Sequence, residues 1–460
     1  SDLGDADFTA VAVYSDMKQT GFFDSSNSLL NRFVENTIWS AKSNFLDIPT
    51  DCPTRERHGW TGDAQIFFDT ASWIFDCAAF SRKYVQDMFD WQRKDGCLPQ
   101  IVPEGGVDPY MYTMNGSVGW ADAGVLIPYR FWKHYGDSSI LKKYYKGMKK
   151  YAWFMMKRCG KHTILSKPLR IPKAYRKYAV NVGQSYGEWA EPEDVHPNKW
   201  TDMILPHPEV STAYTCFVME HMAEIAAELG EKKDAAVYRE YADQVCRAYQ
   251  EIRKLPEFTL DTDRQAMLVR PLYMNLLDKN ERKYAQKRLV KALEHYDWRL
   301  GTGFLSTPLI LDVLSEINIE YAYRLLENEE MPGWLFMPKH GASTVWESWE
   351  GTEAQNGIAS LNHYSKGAVC AWLFETMCGI RIDGENHFRI CPKPGGKFAY
   401  AGASYDSVYG KVSCRWEKND KGVKYTVEIQ SNTTALIVIP GMKPFEIKAG
   451  RYVWTVEPAD

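Results

Sequence analysis

The feature that most constrains the fold of this chain is a helical pattern of apolar residues that runs from residue 26 to residue 378. In its first segment, Leu30, Phe33 and Val34 recur at the spacing that places side chains on one helical face. No internal repeat of about 34 or 40 residues accompanies the pattern, which disfavours a solenoid. Twelve helices are predicted, over residues 28–43, 62–80, 82–93, 118–135, 138–158, 209–229, 231–254, 263–277, 279–296, 305–315, 317–328 and 360–378.

The connections between these helices alternate in length. Each even-numbered helix from the second to the tenth is joined to the next by one to three residues, which forces the two to be antiparallel. Four of the connections from an odd to an even helix have roughly 18 to 50 residues, and these connections must all lie at one end of the domain. Long loops gathered at one rim are typical of a functional site. The alternation therefore predicts a mainly α protein built on an (α/α)6 barrel.

After Gly379 the pattern changes to the strict alternation of a β-strand, as in Val412, Cys414 and Trp416. This pattern predicts a C-terminal antiparallel β-sandwich. The run TAVAVY at Thr9–Tyr14 also predicts a strand, one without a partner nearby in the sequence. The expected domains are a preceding β domain or linker over 1–18, the catalytic barrel over 19–378 and the sandwich over 379–460.

Composition and charge exclude several classes of partner. The 55 Lys and Arg nearly balance the 59 Asp and Glu, so we expect no nucleic acid partner. No apolar run approaches the ~18 residues of a transmembrane helix, so we expect no membrane association. The ten cysteines form no CxxC pair, which favours buried thiols in a reducing compartment, such as the cytoplasm, over zinc binding or disulfides. The chain begins at Ser1 without Met, which leaves secretion open.

The loop between the first and second helices concentrates charged residues beside a tryptophan. It reads IPTDCPTRERHGWTGD and contains Asp51, Arg55, Glu56, Trp60 and Asp63. Such residues are also found in a solvated surface loop. Their place on the functional rim favours a sugar pocket, in which carboxylates and guanidinium groups bind hydroxyls and an aromatic face covers the C–H side of the ring.

The last long loop, HGASTVWESWE, places a carboxylate between two large aromatic residues. Glu347 lies between Trp346 and Trp349, and partial desolvation there would raise its pKa toward catalytic use. The alternative is a structural glutamate that caps a neighbour. Two further rim loops contribute Trp120 and Trp189, which either pack in the core or line the pocket.

Four runs of this sequence closely resemble the signatures of bacterial α-L-rhamnosidases, glycoside hydrolase family 78. They are DCPTRERHGWTGDAQ (51–65), TGFLSTPLILDVLSE (302–316), KHGASTVWESW (339–349) and SLNHYSKGAV (360–369). The resemblance extends from about Val11 to the C-terminus. It implies an inverting glycosidase that acts on rhamnose-containing glycosides or oligosaccharides without a cofactor or metal.

The same resemblance implies roles for individual residues. Glu56 matches the general acid of the family and Glu347 the general base. The positions that match its sugar-binding residues are Asp51, Arg55, Trp60, Asp63, Trp120, Trp189 and His363. Ser348 and Glu350 occupy positions where Arg and Asp are common in the family. We expect these two differences to affect which leaving group is preferred more than the reaction itself.

A general acid must carry a proton near neutral pH, whereas Arg55 and Arg57 would lower the pKa of Glu56. We therefore expect either that Asp51 and Asp63 lie close enough to Glu56 to raise its pKa, or that the arginines point elsewhere.

Other functions compatible with such a barrel are an α-glucosidase or trehalase type of inverting glycosidase and a sugar-binding relative without turnover. The presence of both Glu56 and Glu347 argues against the second. A prenyltransferase or terpenoid cyclase barrel would need a zinc triad or a metal-binding Asp cluster, and the sequence shows neither.

Overall fold

The computed structural model describes residues 8–9, 11–104, 112–164, 166–197, 199–357 and 359–457. Its long helices are α1 Ser28–Asn44, α2 Thr61–Ile74, α3 Ala78–Asp90, α4 Ala123–Tyr135, α5 Ser139–Arg158, α6 Pro208–Glu228, α7 Lys232–Ile252, α8 Ala266–Tyr273, α9 Lys279–His295, α10 Ile310–Ile317 and α11 Ile319–Leu326. A last helical segment passes from 3₁₀ through α to π geometry over Ser365–Val369, Cys370–Trp372 and Leu373–Met377. The loops contain the short helices Lys173–Arg176, Trp200–Met203, Pro256–Phe258, Phe336–Lys339 and Gly351–Gly357.

The helices form antiparallel hairpins with one inner and one outer member. Helix α2 contacts α4 on one side and the last helical segment on the other, while α4 contacts α6 and α8 contacts α10. Helix α2 is buried along nearly its whole length, but its hairpin partner α3 buries one face. An inner ring surrounded by an outer ring is the predicted (α/α)6 barrel, which the structure confirms.

Three inner helices begin about five residues later than the sequence pattern predicts. Helix α4 begins at Ala123 rather than 118, α10 at Ile310 rather than 305, and the last segment at Ser365 rather than 360. Before α10 and the last segment, backbone N–H groups make tertiary hydrogen bonds, such as that of Ser306 to the Glu188 carboxylate; before α4 they make local turn bonds instead. Gly119 N–H, for example, donates to Asp122 Oδ2 at 2.7 Å. The preceding residues therefore form rim turns that retain the apolar spacing of the helix.

The C-terminal region is a sandwich of two sheets. Its strands are β4 Ile380–Ile382, β5 His387–Ile390, β6 Tyr400–Ser407, β7 Gly410–Asn419, β8 Gly422–Ile429, β9 Thr434–Ile437, β10 Phe445–Ile447 and β11 Gly450–Val456, and the earlier strands are β1 Gly21–Ser25, β2 Phe45–Leu46 and β3 Ile48–Pro49. One sheet has the order β1-β6-β7-β8-β11 and the other β10-β9-β5-β4. The pairing is antiparallel as predicted, except that β5 and β9 are parallel.

Strand β1 joins the beginning of the barrel region to the sandwich. It pairs with β6 from Gly21 opposite Tyr405 to Ser25 opposite Ala401. The strand predicted at Thr9–Tyr14 is wrong for residues 11–14, which form no strand; residue 10 lies outside the described residues. Val11 and Val13 are exposed because no neighbouring strand pairs with this segment in the described part of the chain. Among the described helices, none is long and apolar enough to cross a bilayer.

Trp416 connects the sandwich to the barrel. Its side chain is fully buried, and its indole N–H donates to the carbonyl of Met377 at 2.9 Å. Apolar residues of the two parts form one continuous core. The sandwich and the barrel therefore stabilise each other.

We expect Trp416→Phe to destabilise the protein by about 1 kcal/mol, because the Met377 carbonyl loses its donor. Trp416→Ala should cost about 3–5 kcal/mol, since it also removes a large buried ring. Thermal and denaturant unfolding measure both effects, with Trp153→Phe as a control at an exposed tryptophan. Equal stability of the wild type and Trp416→Ala would contradict a structural role for this contact.

Candidate active site

The rim of the barrel contains a cavity of about 260 Å³. Both predicted catalytic residues and six of the seven predicted binding residues line it. The lining residues are Asp51, Glu56, Trp60, Asp63, Met114, Trp120, Tyr186, Trp189, Met203, Phe304, Glu347 and His363. The seventh predicted binding residue, Arg55, contacts the cavity through two of these carboxylates. The fold thus brings into one place residues as far apart in the sequence as Asp51 and His363.

A short closed loop presents Arg55 and Glu56 to the cavity. Asp51 N–H donates to the His58 carbonyl at 2.9 Å, and His58 N–H donates back to Asp51 Oδ1 at 3.0 Å. Within the loop, Arg57 has a left-handed backbone with φ 57°. These constraints fix the direction of the side chains at the tip of the loop.

One guanidinium group joins the two predicted catalytic carboxylates. Arg55 Nη2 donates to Glu56 Oε1 at 2.6 Å and to Glu347 Oε2 at 2.8 Å, although these glutamates are far apart in the sequence. Trp60 Nε1 donates to the other oxygen of Glu56 at 2.8 Å. The expectation that the arginines point away from Glu56 is therefore wrong for Arg55. Because both bonds start at Arg55 Nη2, the distance between Glu56 Oε1 and Glu347 Oε2 cannot exceed the sum of the two hydrogen-bond lengths.

Glu347 is held by the backbone of its own loop. Its N–H donates to the Ser360 carbonyl at 2.9 Å, and Ser360 N–H donates to Glu347 Oε2 at 2.8 Å. The Glu347 side chain is almost completely buried, in agreement with the desolvation expected beside two tryptophans. Trp349 packs behind it and donates to the Thr302 carbonyl at 2.9 Å.

Burial shifts the pKa values of the remaining polar residues of the cavity toward their uncharged forms. Burial, together with the negative charge of Glu56, raises the pKa of Asp51 to about 7. Burial and the charge of Asp51 raise the pKa of Asp63 well above its ordinary value. Burial lowers the pKa of His363 to about 4, and its Nε2 lies 3.3 Å from Asp63 Oδ1. The charge of Glu56 contributes to the raised pKa values of both aspartates, so the three carboxyl groups interact.

Three tryptophans form the apolar wall of the cavity around Tyr186. The ring centroid of Tyr186 lies 5.5 Å from that of Trp60, 4.6 Å from that of Trp120 and 6.2 Å from that of Trp189. Gly62 permits this packing, because a Cβ there would lie 2.4 Å from the Trp120 ring. Sequence reasoning did not assign Tyr186, although it lies three residues before Trp189 in the same rim loop.

Sequence reasoning also missed Met114, Met203 and Phe304. Phe304 is within the run 302–316, where the helical pattern had placed it close to the start of a helix. The two methionines lie in long loops without a recognisable pattern, so no sequence signal could have found them. Among the described residues, no cluster of three or more His, Cys, Asp or Glu is arranged to hold a metal ion.

Comparison with known proteins assigns the family. The model of the bacterial α-L-rhamnosidase six-hairpin glycosidase domain matches residues 18–377, and that of the bacterial α-L-rhamnosidase C-terminal domain matches residues 382–453. The chain belongs to the bacterial α-L-rhamnosidase family. This assignment confirms the family predicted from the four sequence runs at 51–65, 302–316, 339–349 and 360–369.

Individual relatives agree with this assignment. An α-L-rhamnosidase of Streptomyces avermitilis is 33% identical over 93% of this chain, and one of Formosa agariphila is 32% identical over 94%. The crystal structure of the Streptomyces avermitilis α-L-rhamnosidase complexed with L-rhamnose superposes with a TM-score of 0.83 over 96% of this chain and 43% of that one, at 30% identity. The chain spans 39% and 45% of the two relatives matched by sequence.

We expect Asp51→Asn to stabilise the protein at pH 8 by about 2–4 kcal/mol. The folded wild type retains the Asp51 proton up to about pH 7, whereas the unfolded chain loses it near pH 4, so stability falls as pH rises between these values. Asparagine has no proton to lose, and its side-chain oxygen can still accept from His58 N–H.

Denaturant unfolding at pH 4, 6 and 8 measures this effect. Asp47→Asn is the matched control, because the side chain of Asp47 is 78% exposed and belongs to the same connection. A constant difference between wild type and Asp51→Asn across the pH range would contradict the raised pKa.

Proposed function

We propose that this chain hydrolyses rhamnosides and releases terminal α-L-rhamnose with inversion at the anomeric carbon. The observation that carries the proposal is the convergence of Glu56 and Glu347 on one sugar-sized cavity. The family assignment and the rhamnose complex of a relative support the choice of sugar. The cavity is smaller than the ~300–1,000 Å³ of typical drug-sized sites, as expected for a single ring.

The lining of the cavity suits a deoxy sugar. Asp51, Asp63 and Arg55 offer acceptors and donors for hydroxyl groups, and His363 Nδ1 is buried without a hydrogen-bond partner among the described residues. The tryptophans and Phe304 present apolar faces for the C–H groups of the ring and for the methyl group that distinguishes rhamnose from a hexose with a hydroxymethyl group.

The two glutamates divide the chemistry between them. Glu56, which is one-third exposed, would donate a proton to the leaving oxygen. The buried Glu347 would take a proton from a water molecule that attacks the opposite face of the sugar. An inverting mechanism requires one carboxyl group in each of these two roles.

Arg55 bridges the two glutamates that the proposed mechanism uses as acid and base. Carboxyl groups of inverting glycosidases are ~6.5–9.5 Å apart, and here both facing oxygens contact one nitrogen of Arg55. Arg55 therefore has to withdraw from at least one glutamate when the sugar enters. Its withdrawal would free Glu56 to take up a proton and would bring the guanidinium to a sugar hydroxyl, in agreement with its expected binding role.

The proposal extends to the location and substrates of the protein. All ten cysteines are free thiols, which supports a reducing bacterial cytoplasm. The expected substrates are rhamnose-containing glycosides or oligosaccharides whose remaining part extends out of the cavity across the rim loops.

Proton NMR of the hydrolysis of an aryl α-L-rhamnopyranoside tests the reaction. We expect β-L-rhamnose to appear first and the α-anomer to follow by mutarotation. Initial formation of the α-anomer would contradict inversion, and release of another sugar in place of rhamnose would contradict the substrate.

Two isosteric variants test the roles of the glutamates. Glu56→Gln should lower kcat/KM about 10²–10⁴-fold for an alkyl rhamnoside but much less for a 2,4-dinitrophenyl rhamnoside, whose leaving group needs no proton. Glu347→Gln should lower it to a similar extent for both substrates, because water activation is needed in each case. Glu353→Gln, an exposed carboxylate of the same loop as Glu347, is the control. Equal losses of Glu56→Gln on the two substrates would rule out Glu56 as the acid.

A further inference from the structure

A lysine side chain is buried behind the wall of the cavity. Lys366 belongs to the last helical segment, three residues after His363, and is 1% exposed. Its Nζ donates to the Ala190 carbonyl at 3.2 Å and lies 3.9 Å from the ring centroid of Trp349. It also lies 5.4 Å from the ring centroid of Phe304, which lines the cavity.

A buried ammonium group is energetically unfavourable compared with an apolar side chain of the same length. The surroundings of Lys366 compensate for part of this cost. The carboxylates that act on it electrostatically are Glu350, Glu347, Glu188 and Glu191. Three of them have an arginine partner as well: Arg55 for Glu347, Arg270 for Glu188 and Arg264 for Glu191. A cation is thus enclosed between the loop of Trp189 and the loop of Glu347.

The segment that carries Trp189 is attached at three consecutive residues. The Glu188 carboxylate accepts from Ser306 N–H at 2.5 Å and from Arg270 at 2.7 Å. The Trp189 carbonyl accepts from Phe304 N–H at 2.8 Å. The Ala190 carbonyl accepts from Lys366, and Ala190 has a left-handed backbone with φ 56°, a conformation that needs tertiary support in a residue other than glycine.

We propose that Lys366 is a positioning residue of the active site with two effects. Through its hydrogen bond to Ala190 it holds the segment of residues 186–191, which contributes Trp189 to the cavity wall. Its positive charge keeps Glu347 ionised. This proposal rests on the role assigned above to Glu347. Lys366 is not one of the residues that line the cavity, and it acts on the lining residues Phe304 and Glu347 from behind. Its charge also acts on His363, whose pKa is lowered mainly by burial and further by Arg55 and Lys366.

Below neutral pH, Lys366 carries the positive charge that the proposed role requires. Burial lowers its pKa to about 7, against the opposite effect of the carboxylates around it. The ammonium group is therefore present below neutral pH, where its positive charge favours the ionised form of Glu347. Above neutral pH the side chain becomes neutral and retains its hydrogen bond to Ala190.

Two variants separate the two parts of the proposal. Lys366→Met removes both the charge and the donor, whereas Lys366→Gln removes the charge and keeps a donor. Lys339→Met, at an exposed lysine of the connection that carries Glu347, is the control. Hydrogen exchange of residues 186–191 reports on the wall, and the pH profile of kcat/KM on an aryl rhamnoside reports on Glu347.

We expect the acidic limb of the profile to move upward by about one pH unit in both Lys366 variants. Exchange in residues 186–191 should become faster in Lys366→Met and stay close to the wild-type rate in Lys366→Gln. An unchanged limb in both variants would overturn the charge role, and unchanged exchange in Lys366→Met would overturn the positioning role. If the wild type released no rhamnose, the proposed function would fail, while the exchange experiment would still decide the positioning role.

Unfolding experiments show whether the variants are folded and whether the lysine is buried as a cation. The unfolded chain keeps the lysine proton to about pH 10, and the folded wild type loses it near 7, so wild-type stability should rise relative to Lys366→Met between these values. A pH-independent difference would contradict the buried position of the ammonium group.

Discussion

Buried charged side chains organise the functional rim of this barrel, because each of them needs a partner. Charged groups removed from water are stable only when opposite charges and hydrogen bonds surround them. Here the partners come from different loops: Arg55 joins the loop after α1 to that of Glu347, and Arg270 of α8 joins Glu188 to Glu209 at the start of α6. Satisfying each charge therefore requires the loops to take one common arrangement.

This arrangement also sets the electrostatics of the cavity. Asp51 and Asp63 share a buried space with Glu56, and mutual repulsion adds to burial in raising the pKa values of the two aspartates. Arg55 is the cation that faces both catalytic candidates. The charges of the cavity itself therefore organise its side chains. Under the proposed function, sugar binding would change chiefly the position of Arg55 between Glu56 and Glu347.

The sequence pattern predicted the helices well and their starting points at the rim less well. Residues such as Trp120 and Phe304 have the spacing of an inner helix, but their backbone lies in turns before α4 and α10. The N–H of Ser306 donates to the Glu188 carboxylate, a partner more than one hundred residues away. Apolar spacing reports which side of the chain is buried, and it does not report which group accepts each backbone hydrogen bond. The same limit explains the strand wrongly predicted over 11–14, where alternation is present and a pairing partner is absent from the described residues.

The sequence by itself determined the barrel, the sandwich and eight of the twelve residues that line the cavity, because periodicity, loop lengths and four characteristic runs are local properties of the chain. Only the tertiary structure decided that Arg55 lies between the two glutamates, that Tyr186 lies among three tryptophans and that β1 completes a sheet of the sandwich. It also decided that Lys366 is buried behind the cavity wall. The helical pattern alone predicts only that residue 366 belongs to an inner helix. These features depend on distances between residues remote in sequence, and such distances are fixed when buried charges and apolar faces are satisfied together.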